Sequence, residues 1–154
     1  MSEGEIDRWD DLVATARKTG SKEDWTSIGW MRNGYGMHLA DIFSVEPPAM
    51  FLEATLKREL VAHGATLAAS AEEADIVVKG DLRYLKVDIF MKYWADIVVD
   101  WEYTPKGGQA TKASRHTYGE NAAWTSSAWE FYQPLRQCEQ EMMWLVLEDL
   151  GAVK

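Results

Sequence analysis

Between residues 93 and 104 the chain alternates. Ala95, Ile97, Val99, Trp101 and Tyr103 take one parity, and Asp96, Val98, Asp100 and Glu102 take the other. Successive side chains of a strand point to opposite sides, so this period of two predicts a strand with one apolar and one solvated face. The apolar face needs a cover, because burial of such surface is worth about 25 cal/mol per Å2. The preceding segment, 75–90, is also strand-like. Ile76, Val78, Leu82 and Tyr84 share one parity, whereas Leu85, Val87 and Ile89 take the other. The phase change near Tyr84-Leu85 implies a bulge, a bend or a switch of face.

Two amphipathic helices can supply the cover. In residues 48–63, Ala49, Leu52, Leu56, Leu60 and His63 recur at steps of three and four, with Glu53, Lys57, Arg58 and Glu59 opposite. Pro47-Pro48 suits a first helical turn, and Gly64 suits the position after the last. His63 is placed to meet the final carbonyls. The second helix spans 127–150. Ser127-Ala128-Trp129-Glu130 matches a capping box, and Ala128, Phe131, Leu135, Cys138, Met142, Leu145 and Asp149 trace its stripe. Pro134 should kink this helix or delay its start to about 133. Gly151 ends it.

The remaining elements are shorter. Extended segments at 28–31 and 37–43 flank Asn33-Gly34-Tyr35-Gly36. Asn-Gly predicts a hairpin because both residues tolerate positive φ, and Gly36 can add a bulge. Residues 65–69 read as a short strand and 105–108 as a turn. Residues 109–119 read as a third antiparallel strand near an edge, and 120–126 as a loop. Residues 5–18 carry Ile6, Trp9, Leu12, Val13 and Ala16 at helical spacing on a narrow face. The expected organisation is an N-terminal extension or short helix over 1–25 and a single α+β domain over 26–150. Its antiparallel sheet of four to five strands is packed on one face by two helices, a two-layer sandwich. Trp101 is expected in the core.

At 154 residues the chain fits one domain. Its formal charge is −9, and its densest basic pair is Lys57-Arg58. Such an acidic field opposes binding to nucleic acid or to an anionic membrane surface. No run of apolar residues is long enough to span a bilayer as a helix. The single cysteine, Cys138, cannot form an internal disulfide or complete a structural zinc site, and it falls on a helical apolar stripe. Tryptophan is abundant, with eight residues. That excess fits a Trp-rich core or an aromatic contact surface. The acidic start has no apolar leader stretch. Either Met1 is the native start of a cytoplasmic protein, or an export signal has been removed from a periplasmic or envelope-associated one.

No motif assembles a catalytic centre. HExxH, GxSxG and a phosphate-binding Gly-Lys-Ser/Thr are all absent. His116 and Glu120 stand four apart, but in a strand and loop that spacing does not bring them together. Asp96, Asp100 and Glu102 line the solvated strand face. A hydrolase-like reading would need Asp96, Asp100 or His116 to meet in one cleft. No cofactor or metal is implied. The candidate interaction surface is Asn33, Tyr35 and His38, with Trp124 and Trp129 at the start of the last helix. The first three shape either a simple turn or a binding edge. The two tryptophans either cover the open end of the sheet or present a patch.

The helix 48–63, Gly64, and the stretch Ala74-Asp75-Ile76-Val77-Val78-Lys79-Gly80 resemble the bacterial YajG-type lipoproteins and the related auxiliary lipoproteins of ABC transport systems. In that group a helix ending "EL…G" precedes an "AD-hydrophobic-G" strand, a hairpin and a final amphipathic helix. The resemblance covers about residues 26–150. It implies a periplasm-facing α+β domain with an accessory or assembly role and carries over no catalytic residue. No lipobox cysteine precedes the domain. The leading expectation is therefore a non-enzymatic cell-envelope accessory protein that binds a protein partner or forms a homo-oligomer. The alternative is a module that binds a small molecule or lipid, an apolar ligand, in an aromatic-lined pocket.

Overall fold

The computed structural model describes residues 13–15, 26–44, 47–122 and 128–153. In chain order the elements are β1 (Val13–Thr15), β2 (Thr26–Arg32), β3 (His38–Ser44), α1 (Pro48–Ala62), β4 (Ile76–Phe90), β5 (Lys92–Pro105), β6 (Thr111–Ala122) and α2 (Ala128–Asp149). The strands form one sheet of six in the order β1-β3-β2-β4-β5-β6. Every neighbouring pair is antiparallel except β2 and β4, which run parallel over Gly29–Val87, Trp30–Asp88 and Met31–Ile89. That junction needs a crossover, and α1 lies within it. The architecture is α+β, with two helices packed against the sheet, as the sequence implies.

The alternation of β5 decides the core. Tyr93, Ala95, Ile97, Val99, Trp101 and Tyr103 are all buried, and they pack with Phe51, Leu52 and Leu56 of α1 and Leu135, Cys138, Met142, Met143 and Val146 of α2. Trp101 is 5% exposed and donates its indole N–H to Met142 Sδ at 3.4 Å. The phase change in β4 is a bulge, with a register shift between Leu82 and Tyr84. Arg83 is the extra residue, so Leu82 and Leu85 both join the core side while Tyr84 goes to the opposite face.

Both helices end in a paired 6→1 and 5→2 arrangement of amides. Ala65 N–H reaches Leu60 O at 2.9 Å and Gly64 N–H reaches Val61 O at 3.0 Å. Ala152 and Gly151 do the same to Leu147 and Glu148. Gly64 and Gly151 take the positive φ this ending demands. His63 Nδ1 lies 2.9 Å from Glu59 O, as its place in the last turn suggests.

Four local expectations change. Residues 13–15 pair with β3 as an edge strand, although their spacing reads as helical; the rest of 1–25 lies outside the described residues. Residues 65–69 form no strand; their alanines and single leucine find no neighbouring strand to pair with. Of the two effects expected of Pro134, the delayed start near 133 does not occur: helix α2 starts at Ala128 and holds Pro134 inside it. In the β2–β3 turn, Gly36 alone has positive φ, at 83°. The turn is closed by Gly36 N–H to Asn33 O at 2.9 Å and by Asn33 N–H to Met37 O at 3.0 Å.

Candidate interaction face and apolar cleft

The helices cover one side of the sheet. The other side carries aligned rows of polar and aromatic side chains. Strand register sets Trp30, Asp88, Trp94 and Glu120 in one row across β2, β4, β5 and β6, with Lys86, Asp96 and Tyr118 in the next. The Lys86 ammonium sits 3.7 Å from the Trp30 ring centroid and 5.3 Å from that of Trp94. Trp94 and Tyr118 stack with centroids 6.3 Å apart. A cation between two indoles gains from both ring quadrupoles. The result is an aromatic strip built from four strands. Trp30 and Tyr118 are 37% and 44% exposed, although side chains of their size usually dominate cores.

Ion pairs frame this strip. Lys92 Nζ bonds Glu120, and Tyr118 O–H donates to the same carboxylate at 2.8 Å. Lys92, then Tyr118, lowers the Glu120 pKa. His116 Nε2 meets Asp96 Oδ1. Register also sets Asp81 directly opposite Asp100, a repulsive pair in isolation. The bulge residue Arg83 resolves it, reaching Asp81 at 3.0 Å and Asp100 at 3.5 Å. Arg32 grips Asp88 with two bonds, of 3.1 and 2.5 Å, and its guanidinium lies 4.6 Å from the Phe90 ring centroid. Asp88 is only 1% exposed, and the clamp gives both of its carboxylate oxygens a hydrogen-bond donor.

On the helix side the polar groups serve packing. Asp149 of α2 accepts from Arg115 Nε at 3.0 Å and Tyr103 O–H at 2.9 Å, and it also pairs with Arg115 Nη2. Arg115, and to a lesser extent Tyr103, holds the Asp149 carboxyl below its ordinary value. Burial, reinforced by Asp149, pushes the Tyr103 hydroxyl well above its own. Cys138 is fully buried; its thiol donates to Ala95 O at 3.2 Å, and burial pushes its pKa up to about 12. A thiol held so far from ionisation is a core group.

The anticipated surface residues separate. Asn33 is spent on the turn, its Oδ1 accepting from the Tyr35 and Met37 amides, both at 3.0 Å. Tyr35 stands 92% exposed at the tip, and His38 opens β3 on the far side of the turn. Trp124 and the Trp129 side chain lie outside the described residues. Asp96 and His116 do meet, but on the open sheet face, while Asp100 is held by Arg83. Among the described residues, no cluster of three or more His, Cys, Asp or Glu is arranged to hold a metal ion, and no helix is long and apolar enough to cross a membrane.

A second feature lies between α1 and the N-terminal half of β4. β2 pairs with β4 only at Val87–Ile89, and α2 covers β5 and β6. This leaves a cleft of about 880 Å3. Leu52, Leu56 and Leu60 wall one side, Ile76, Val78 and Leu82 the other, and Trp101 lies at its base. The expected aromatic-lined pocket is thus aliphatic, with one aromatic residue.

The fold is similar to the crystal structure of protein XCC0632 from Xanthomonas campestris, of the family model DUF330. The TM-score is 0.54 at 16% identity, over 80% of this chain and 73% of that one. No protein-family model matches the sequence. No curated protein matches it either.

Proposed function

We propose that this is a non-enzymatic accessory protein of the bacterial cell envelope, and that it works by docking a protein partner or further copies of itself on the open sheet face. The observation that carries this reading is the Trp30–Lys86–Trp94–Tyr118 strip, which lies opposite the helix-covered core. Trp, Tyr and Arg are the residues that concentrate binding energy at protein interfaces. The surrounding charges are balanced pair by pair, which suits a face that must be desolvated on contact. The likeness to XCC0632 is one of fold; the envelope part of the reading rests on the resemblance of helix 48–63, Gly64 and the 74–80 stretch to the YajG-type and ABC-transport auxiliary lipoproteins.

Light scattering and a pull-down from envelope extract, each run beside a Trp30→Ala/Tyr118→Ala variant, test the reading. Self-association or partner capture should be lost in the variant. A wild-type protein that stays monomeric and captures nothing beyond what the variant captures would refute it.

A further inference from the structure

We infer that the cleft between α1 and β4 is a binding site for one extended alkyl chain. Its opposing walls are aliphatic, and the only polar atom of the Trp101 side chain is turned away onto Met142. A ligand there finds apolar contact and no hydrogen-bond partner from the indole. The nearby polar groups Glu53 and Lys57 form an ion pair of 2.6 Å on α1. A polar head therefore belongs at the rim and the chain inside.

The dimensions choose among apolar occupants. Leu52 to Leu60 spans roughly 12 Å of helix, and Ile76 to Leu82 spans roughly 20 Å of strand. Spread over that length, the volume gives a cross-section of roughly 45–75 Å2, below the roughly 80–110 Å2 of a helix with its side chains. A polymethylene chain fits within that cross-section with room to bend, whereas a helix would have to stand part-way out of the slot. At the mouth, Leu67 and Ile76 are 49% and 41% exposed, so apolar surface remains for a ligand to cover. The volume also falls in the range of small-molecule sites.

The site is independent of the open face. The probe is 11-(dansylamino)undecanoic acid, titrated into the whole chain and followed by its fluorescence. Saturable binding of one probe per chain is expected, with displacement by palmitate and by hexadecanol alike. Leu67→Glu and Ile76→Glu, each checked for folding by circular dichroism, should each weaken binding at least tenfold. Tyr118→Ala should leave it unchanged. With hexadecanol also displacing the probe, the stronger competitor of palmitate and palmitoyl-lysophosphatidylcholine tells a free fatty acid from a membrane lipid as the source. No saturable binding, binding indifferent to both cleft variants, or displacement by palmitate but not hexadecanol would overturn the inference.

Discussion

Gly119 of β6 lies against the Pro134 carbonyl of α2, so close that a Cβ at position 119 would fall 2.3 Å from that oxygen. The same Cβ would stand 3.0 Å from the Gln137 Cβ. The obstacle is backbone, which cannot swing aside as a side-chain tip can. Helix α2 is anchored on both sides of this contact, by Thr117 Oγ1 donating to Cys138 O at 3.0 Å and by Gln137 Oε1 accepting the Glu120 amide at 3.2 Å. Gly119→Ala should therefore lift the helix from the sheet and cost about 1–3 kcal/mol as an overpacking change. Urea unfolding measures this, and an unchanged midpoint would show that the helix seats elsewhere.

Gly80 of β4 stands opposite Trp101 of β5, and a Cβ there would meet the indole at 2.5 Å. The glycine gives the indole room to lie across the neighbouring strand. Trp101→Ala should cost about 3–5 kcal/mol, as for other buried large aromatics. Gly80→Ala should cost about 1–3 kcal/mol in the wild type. In a Trp101→Leu background the second loss should shrink, giving a coupling of about 1–2 kcal/mol. Additive losses in a double-mutant cycle would mean that the two positions do not share this contact.

How far these contacts were legible follows from their range along the chain. The core parity of β5 is readable because the pleat alone fixes it, and the two helix endings are readable because only a few residue types suit a positive φ. The β4 bulge is visible as a phase change, yet its place is blurred: Tyr84 tolerates either face, so the sequence points near 84–85 while the extra residue is Arg83. Strand β1 is not legible, since Val13–Thr15 becomes a strand only through pairing with β3. The aromatic strip was missed for a related reason. Its members come from four strands, and only the register brings Lys86 between Trp30 and Trp94. The abundance of tryptophan was the one signal of an aromatic contact surface, and it did not say where that surface lies.

Asp88 is buried on the side of the sheet away from the helices, and Arg32 is the cation that holds it. Removing Arg32 leaves the buried Asp88 carboxylate without the guanidinium that binds both its oxygens. Arg32→Ala should cost about 3 kcal/mol. Arg32→Met combined with Asp88→Leu should recover most of that loss, because an apolar pair of similar volume carries no desolvation penalty. Thermal unfolding compares the two, and a double variant no more stable than Arg32→Ala would show that the pair also fixes the β2–β4 register.

Acid should act through Asp149. Its folded pKa lies below the ordinary 3.8, chiefly through the Arg115 bond and secondarily through Tyr103. The folded state therefore binds this proton less readily than the unfolded chain does. The stabilisation is fully present about one pH unit above 3.8 and higher. It declines as the pH falls through 3.8 and is gone once the pH passes below the folded pKa. Asp149→Asn keeps an acceptor for the Tyr103 hydroxyl but removes this titration. Its stability should sit below wild type at pH 6, and the gap should close on acidification. Denaturant midpoints measured from pH 6 down to pH 3 give the comparison. A gap that stays constant across that window would show that Asp149 contributes through packing rather than through its charge.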